Sequence, residues 1–324
     1  MSDYSRKELG KQAAELGFIR DTFEKVSRLV GLLSFFELDP VLSRYLAIKG
    51  GTAINLTIFN LPRLSVDIDF DFAENLPMDE TMAIRETIRD TVRRHMAMSG
   101  YVLSDKSKRY HTLDSDVYQY MNAGGVKDNI KIESNYSLRS HVLPVTRRPI
   151  ETLGVFSLVT VLALDPIEIF GSKIAALLSR AAARDLYDVN NMAYFGLYDE
   201  TQTDILRKCV VFYAAIGGEQ APETFDFSKM DMLTEREIKK RLTPMLRKRE
   251  PFDLAASRER VRKYLSALLE LPDNEKEFLA AFRNGEYRPE LIFYGDALER
   301  VRYHPMAAWK MQVHGQNRTD DMNT

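Results

Sequence analysis

At 324 residues, 45% hydrophobic, 28% charged and with a formal net charge of −2, the sequence reads as a globular chain with enough material for a large core and one or two domains. The near-neutral balance excludes a global basic field, so any nucleic-acid binding must come from local patches. A single cysteine, Cys209, excludes an intramolecular disulfide, and no run is long and apolar enough to span a bilayer, so a cytoplasmic protein with no membrane partner is expected.

Residues 1–20 are polar and read as helical, and residues 23–38 repeat apolar side chains at helical spacing. Residues 45–48 read as a short buried strand, which Gly50 and Gly51 break. Thr52 is placed as the N-cap of a short helix carrying Ile54, Leu56 and Ile58, with Pro62 ending it. Residues 66–72 then alternate with strand period. Asp67, Asp69 and Asp71 fall on one face; Val66, Ile68, Phe70 and Phe72 fall on the other. Carboxylates adjacent on one face repel, and a divalent cation relieves that cost; Mg²⁺ takes a few carboxylates together with phosphate oxygens. Glycines lacking a Cβ let backbone N–H groups approach an anion, and the start of the next helix adds free N–H groups. The order strand, Gly-Gly-Thr, short helix, Arg63-x-Ser65, Asp67-x-Asp69 is thus the basic equipment of a nucleotidyl transferase.

Residues 79–98 read as a long amphipathic helix burying Met82, Ile84, Ile88 and Val92. Residues 101–103 begin a strand, residues 110–120 read as a strand pair, Gly124 and Gly125 turn, and residues 129–136 alternate again. There Ile130 and Ile132 face the core, with Lys131 and Glu133 on the other side; Glu133 is either a site carboxylate or a surface glutamate paired with a nearby basic side chain, and Lys131 either a surface residue or a phosphate contact. Residues 144–152 read as a loop near the basic Arg139, His141, Arg147 and Arg148, and residues 149–163 as further strand. From Asp165 helical periodicity takes over, with Asp165 as N-cap and Pro166 at the first helical position. An uninterrupted helix over residues 172–194 would align Lys173, Arg180 and Arg184 on one face, beside Asp185 and Asp188. The aspartates either pair with those arginines on a solvated face or belong to a site. Basic runs at residues 236–249 and 258–263 read as solvated helix faces more readily than as RNA contacts. Cys209 reads as a small buried hydrophobe, the five histidines show no metal-ligand spacing, and the tail after residue 310 is polar and expected to be disordered.

The segment KGGTAINL followed by RLSVDIDF resembles the AbiEii/AbiGii toxin family of nucleotidyl transferases, in the DNA polymerase β-like superfamily. The family's lysine, two glycines, Ser or Thr, Arg-x-Ser and Asp-x-Asp fall on Lys49, Gly50, Gly51, Thr52, Arg63, Ser65, Asp67 and Asp69. The resemblance continues at SKIAALLSRAAARDLYD and at YRPELIFYGDALERVRYHPMAAWK, and covers about residues 30 to 310. It implies an α/β fold: a polymerase β-like mixed sheet with flanking helices (1–164), a helical domain completing the active-site cleft (165–310) and a polar tail (311–324). It further implies that Asp67 and Asp69 hold Mg²⁺, with Glu133 as the third carboxylate from a neighbouring strand. Gly50, Gly51 and Thr52 would cradle the NTP phosphates, and Arg63 and Ser65 would orient the aspartate strand or contact the nucleotide. The family's Lys, Arg and Arg-Asp-x-x-Asp fall on Lys173, Arg180, Arg184, Asp185 and Asp188; the lysine would reach the phosphates, and one of the two aspartates would fix it or the substrate. The implied role is the toxin of a type IV toxin–antitoxin or abortive-infection system, with tRNA as leading acceptor and a separately encoded, DNA-binding repressor as antitoxin. Two other readings stay open. An enzyme modifying a small, aminoglycoside-like cation would have an acidic, open cleft where a tRNA enzyme has a basic lip. A silent nucleotide- or RNA-binding module would lack metal-dependent NTP turnover.

Overall fold

The alternation at residues 67–72 becomes the centre of a mixed sheet. The computed structural model describes residues 5–150 and 158–321. Contacts divide the chain into two units: Met1–Arg139 with Val145–Leu164 and Leu242–Pro251, and Ser140–Pro144 with Asp165–Arg241 and Phe252–Thr324.

In the first unit the strands are β1 (Leu46–Lys49), β2 (Asp67–Phe72), β3 (Val102–Leu103), β4 (Lys108–Arg109), β5 (Leu113–Met121), β6 (Lys127–Asn135), β7 (Thr146–Pro149) and β8 (Thr160–Ala163). Among the described residues they form one sheet in the order β3-β5-β6-β2-β1-β8-β7, with β4 also paired to β5. β2–β6 and β1–β8 are parallel, and the other pairs are antiparallel. One face is apolar, with Leu46, Ile48, Ile68, Phe70, Phe72, Ile130 and Ile132 all buried. The helix Arg20–Leu38 covers it, stacking Phe36 on Phe70 with centroids 5.2 Å apart.

The helix Met78–Met98 buries Thr81, Arg85, Ile88, Val92 and Met96, while Met82 and Ile84 are only half-buried. Periodicity of apolar residues could not place Arg85 inside. Its guanidinium grips Asp114 of β5 in two bonds, Nε–Oδ2 3.0 Å and Nη2–Oδ1 2.8 Å. It also donates to the carbonyls of His111 and Tyr110 at 2.6 and 2.8 Å, and lies 4.9 Å from the Tyr136 ring centre. A planar fork with every donor engaged satisfies the burial of the charge.

Four other expectations need correction. Thr52 does not cap a helix but sits inside the helix Gly50–Ala53, which continues as a π-type turn over Ile54–Ile58. The basic loop expected at residues 144–152 contains β7, whose Arg147 and Arg148 pair with Leu162 and Val161 of β8. Residues 151–157, within the strand expected at 149–163, lie outside the described residues. The helix expected over 172–194 is two helices, Pro166–Arg180 and Ala183–Tyr194, broken where Ala181 turns left-handed at φ 48° and its N–H closes on Leu177 O. The tail after residue 310 is helical, within Pro305–Asp321. Among the described residues no helix is long and apolar enough to cross a membrane.

In the second unit Asp165 caps the helix Pro166–Arg180, accepting the Ile167 N–H at 2.8 Å, with Pro166 in the first turn. That helix packs on Glu200–Gly217, and Gly171 allows the approach: a Cβ there would lie 2.4 Å from Cys209 Cβ. Cys209 is fully buried, and burial pushes its thiol well above the usual range. Glu168, also fully buried, accepts the N–H groups of Val142 and Leu143 at 2.8 and 2.9 Å and the Tyr213 hydroxyl. These bonds tie residues 140–144 into the second unit, ahead of the change in sequence character at Asp165.

The Arg85–Asp114 pair sets an expectation for stability. Arg85→Met removes the two-bond partner of a buried carboxylate and leaves it with Arg89 Nη2 at 3.5 Å, so stability should fall by about 3 kcal/mol, the lower end for a broken buried pair, whereas the double change Arg85→Met/Asp114→Leu should cost less. Urea denaturation of wild type, both single variants and the double variant measures this; a double-variant loss equal to the sum of the two single losses would show that the pair carries no coupling.

Candidate active site

β1 ends at Lys49, which lies opposite Asp69 of β2 in the antiparallel register. The chain then turns at Gly50, whose φ of 65° suits glycine. A Cβ on Gly50 would stand 2.8 Å from Asp69 Oδ2, and one on Gly51 would stand 2.7 Å from Arg63 Nη2 and 3.0 Å from Ser65 Oγ. The first glycine therefore lets the Asp69 carboxylate come up against the turn. The second lets Arg63 and Ser65 pass beneath it.

Thr52 is buried, donates its hydroxyl to the Asp67 carbonyl and lies 3.1 Å from Ser65 Oγ. Arg63 is 1% exposed and donates from Nη1 to Leu64 O at 2.9 Å. Asn55 links both ends of the loop: its Nδ2 donates to Gly51 O at 2.7 Å and its Oδ1 accepts the Arg63 N–H at 3.3 Å. Thr52, Arg63 and Ser65 thus form the frame that aims the start of β2. Asn55 is a part of that frame sequence reasoning passed over, although a polar residue inside the apolar run AINLTIF was a signal. The segment Leu242–Pro251 is another. It bridges Arg63 through Leu246, its Met245 O accepts the Leu64 N–H at 2.8 Å, and Arg247 donates to Leu61 O at 3.1 Å. Nothing in the sequence assigned those residues to the first unit.

Asp67 and Asp69 are half-buried on the face of β2 away from the apolar core, while Asp71 is 1% exposed and held by the Lys49 ammonium. In the parallel register with β6, Lys131 lies beside Asp67 and Glu133 beside Asp69. The Glu133 carboxylate is engaged by Lys131 Nζ at 2.9 Å. Among the described residues no group of three or more His, Cys, Asp or Glu is gathered for a metal. The two aspartates, with a glycine turn that leaves no Cβ against Asp69, fit a hard divalent cation whose remaining ligands are water and phosphate oxygens.

The second group of expected residues lies in the other unit. The break at Ala181 turns the helix Ala183–Tyr194 so that its first turn meets Lys173 and Arg180. Lys173 Nζ contacts Asp185 Oδ1 at 2.9 Å and Asp188 Oδ2 at 3.4 Å, and Arg180 Nε contacts Asp185 Oδ2 at 3.1 Å. Side-chain exposure is 11% for Lys173, 3% for Asp185 and 1% for Asp188, against 66% for Arg180. Lys173 is therefore a buried cation between two buried carboxylates, not one member of an exposed basic stripe. Arg184 is half-buried, and the reset of helix phase at Ala181 takes it off the line of Lys173 and Arg180.

Burial alone would raise the Asp185 carboxyl, but the Lys173 and Arg180 charges outweigh it and hold the group below the ordinary aspartate range. With the folded value below the unfolded one, the stabilisation is present above about pH 4, where unfolded aspartate is ionised, and is lost as the pH falls from there through the lower folded value. Lys173→Met should therefore lower the denaturation midpoint at pH 7, and the gap to wild type should narrow below about pH 4. A gap constant across pH, followed by urea unfolding, would remove the ion pair as its source.

The family model described as "Nucleotidyl transferase AbiEii toxin, Type IV TA system" matches residues 35–290, which takes in both groups of residues. No curated protein matches the chain. Among solved structures the chain is similar to MenT4, a nucleotidyltransferase toxin from Mycobacterium tuberculosis H37Rv, with a TM-score of 0.64 at 18% identity over 96% of this chain and 99% of that one. The fold is shared along nearly the whole length, which agrees with the α/β class read from the sequence. The match to the family model covers well over half of the sequence, and the chain belongs to the AbiEii family of nucleotidyltransferase toxins of type IV toxin–antitoxin systems.

Proposed function

We propose that this toxin transfers a nucleoside monophosphate from an NTP to the 3′ end of RNA, with tRNA as the acceptor and Mg²⁺ as the metal. The observation that carries the reading is Asp67 and Asp69 on one face of β2, with Asp69 set against the Gly50 turn. In the reaction an acceptor 3′ oxygen bonds to the α-phosphorus, the bond from that phosphorus to the α–β bridging oxygen breaks, and pyrophosphate leaves while the hydroxyl proton passes to solvent. A bound divalent ion supplies charge screening to the triphosphate and acidity to the attacking hydroxyl. Asp67 and Asp69 would hold it, and Glu133 would add a third carboxylate on exchanging its contact with Lys131. Gly50 and Gly51 offer backbone N–H groups to phosphate oxygens. Thr52, Arg63 and Ser65 position the turn and β2.

The role of Lys173 comes from the family pattern: its ammonium offsets charge gathering on the departing pyrophosphate. Asp185 and Asp188 position that ammonium, and Arg180 and Arg184 support the nucleotide phosphates. The cognate antitoxin, a separately encoded DNA-binding repressor, controls a toxin that acts in the cytoplasm.

Incubation of the purified protein with total RNA and each labelled NTP, with Mg²⁺ or with EDTA, tests the reading. Label should enter RNA only with Mg²⁺. Asp67→Asn and Asp69→Asn, which keep size and lose charge, should each reduce incorporation by at least about 10²-fold with an unchanged melting temperature. Incorporation in EDTA, or full activity in both variants, would remove the two-aspartate metal site.

Lys173→Ala should reduce kcat by about 10²-fold while the NTP Kd stays within about threefold, because the charge acts mainly in the transition state. Lys173→Arg should rescue little, a planar guanidinium being a poor substitute for a compact ammonium between two carboxylates. A Lys173→Ala protein with unchanged kcat at a temperature where it is folded would leave the lysine a structural role only.

A further inference from the structure

The polar face of the sheet does not stop at the aspartates. Strand registers draw one continuous row across it: Lys49 opposite Asp69, Asp69 beside Glu133, Glu133 opposite Ser115, and Ser115 opposite Lys108. Residues in register on neighbouring strands point to the same side. The row therefore runs from the expected catalytic strand to β4 in three strand steps, roughly 14 Å at the usual strand spacing. At its far end is an open pocket of about 490 Å³, lined by Lys106, Lys108, Tyr110, Ser115, Lys131 and Glu133 among others.

The chemistry of the lining is one-sided. Lys106, Lys108 and Tyr110 are exposed, Tyr110 by 52%. The single lining carboxylate, Glu133, is already matched by Lys131 at 2.9 Å, which leaves Lys106 and Lys108 as charge in excess. The whole chain has a net charge of −2, so this is a local patch and not part of a general field. An exposed aromatic ring between lysines, in a groove that tracks along a sheet, is suited to a flexible strand with flat bases and a charged backbone. A small cationic acceptor has nothing to gain from such a lining.

We infer that this pocket is the subsite for the single-stranded segment of the RNA acceptor just upstream of its reacting 3′ hydroxyl, with Tyr110 stacking on a base and Lys106 and Lys108 holding backbone phosphates. The inference rests on the RNA-acceptor reading given above and adds to it where the strand lies. The row of registers supplies its direction: the strand leaves the aspartates along Glu133 and Ser115 toward β4. Lys131 has a double position, facing the pocket and pairing with Glu133, so a phosphate that draws Lys131 away releases the Glu133 carboxylate.

The test uses the full chain, the triple variant Lys106→Ala/Lys108→Ala/Tyr110→Ala, and tRNA or a duplex with a short single-stranded RNA 3′ overhang as probe. The variant should bind the probe at least about tenfold more weakly, with the slope of log affinity against log salt reduced by about 1.4 for two lost phosphate contacts. The acceptor KM should rise in proportion, the NTP Kd should not change, and a blunt duplex should bind wild type and variant alike. If wild type labels RNA and the variant keeps the same acceptor KM, salt slope and overhang preference, the subsite is overturned while the RNA reading stands. If wild type labels no RNA at all, the RNA reading fails and the subsite with it, and that failure appears in the wild-type lane rather than in the variant.

Discussion

Three carboxylates at alternating positions of one strand are the constraint around which the first unit is arranged. Period-two geometry sends Asp67, Asp69 and Asp71 to one side of β2 and Ile68, Phe70 and Phe72 to the other. A slip of one residue would put three charges into the core, so the register of β2 has no tolerable alternative. Its neighbours conform. On the apolar side β1 and β6 present Ile48, Ile130 and Ile132; on the polar side they present Lys49 and Lys131. Lys49 takes Asp71, the most buried of the three, and the Gly50 turn is folded against Asp69.

That turn shows why glycine, and no small residue in its place, is required twice in succession. At Gly50 the demand is a positive φ together with a carboxylate at contact distance. At Gly51 it is space for a guanidinium and a hydroxyl beneath the backbone. Arg63 is buried there as a framework cation, and the bonds from Asn55 and from Leu242–Pro251 hold the loop that carries it. A chemical site that must place carboxylates to within a fraction of an ångström gains from such a second layer of fixed side chains.

The second unit solves a related electrostatic problem with the opposite balance. Lys173 lies between Asp185 and Asp188, and Arg180 supplies the second cation from a more exposed position. Removing one member of such a buried group leaves an uncompensated charge, so the cluster resists piecemeal change. The short left-handed break at Ala181 makes the cluster, because it folds one helix back upon the end of the preceding one. The match to the AbiEii family model spans the residues of both clusters.

Much of this was legible in the residues themselves. Strict alternation at 67–72, the paired glycines and the Asp165-Pro166 helix start each have a local physical cause, and local causes can be read without the rest of the chain. The resemblance to the AbiEii pattern singled out Lys173, Asp185 and Asp188 as candidates, which composition and period alone did not. Other features depended on partners remote in sequence. Arg85 is inside because Asp114 meets it, Arg147 and Arg148 are in a strand because β8 lies beside them, and Leu242–Pro251 joins the first unit because Arg63 and Leu64 receive it. Hydropathy scores a charged residue as exposed whatever stands opposite, and helical period runs through an alanine whether or not its φ is positive. The sequence by itself therefore determined the sheet's two faces and the chemistry placed on one of them. Only the tertiary structure decided which charges were buried and paired, because burial of a charge depends on a partner delivered by another part of the chain.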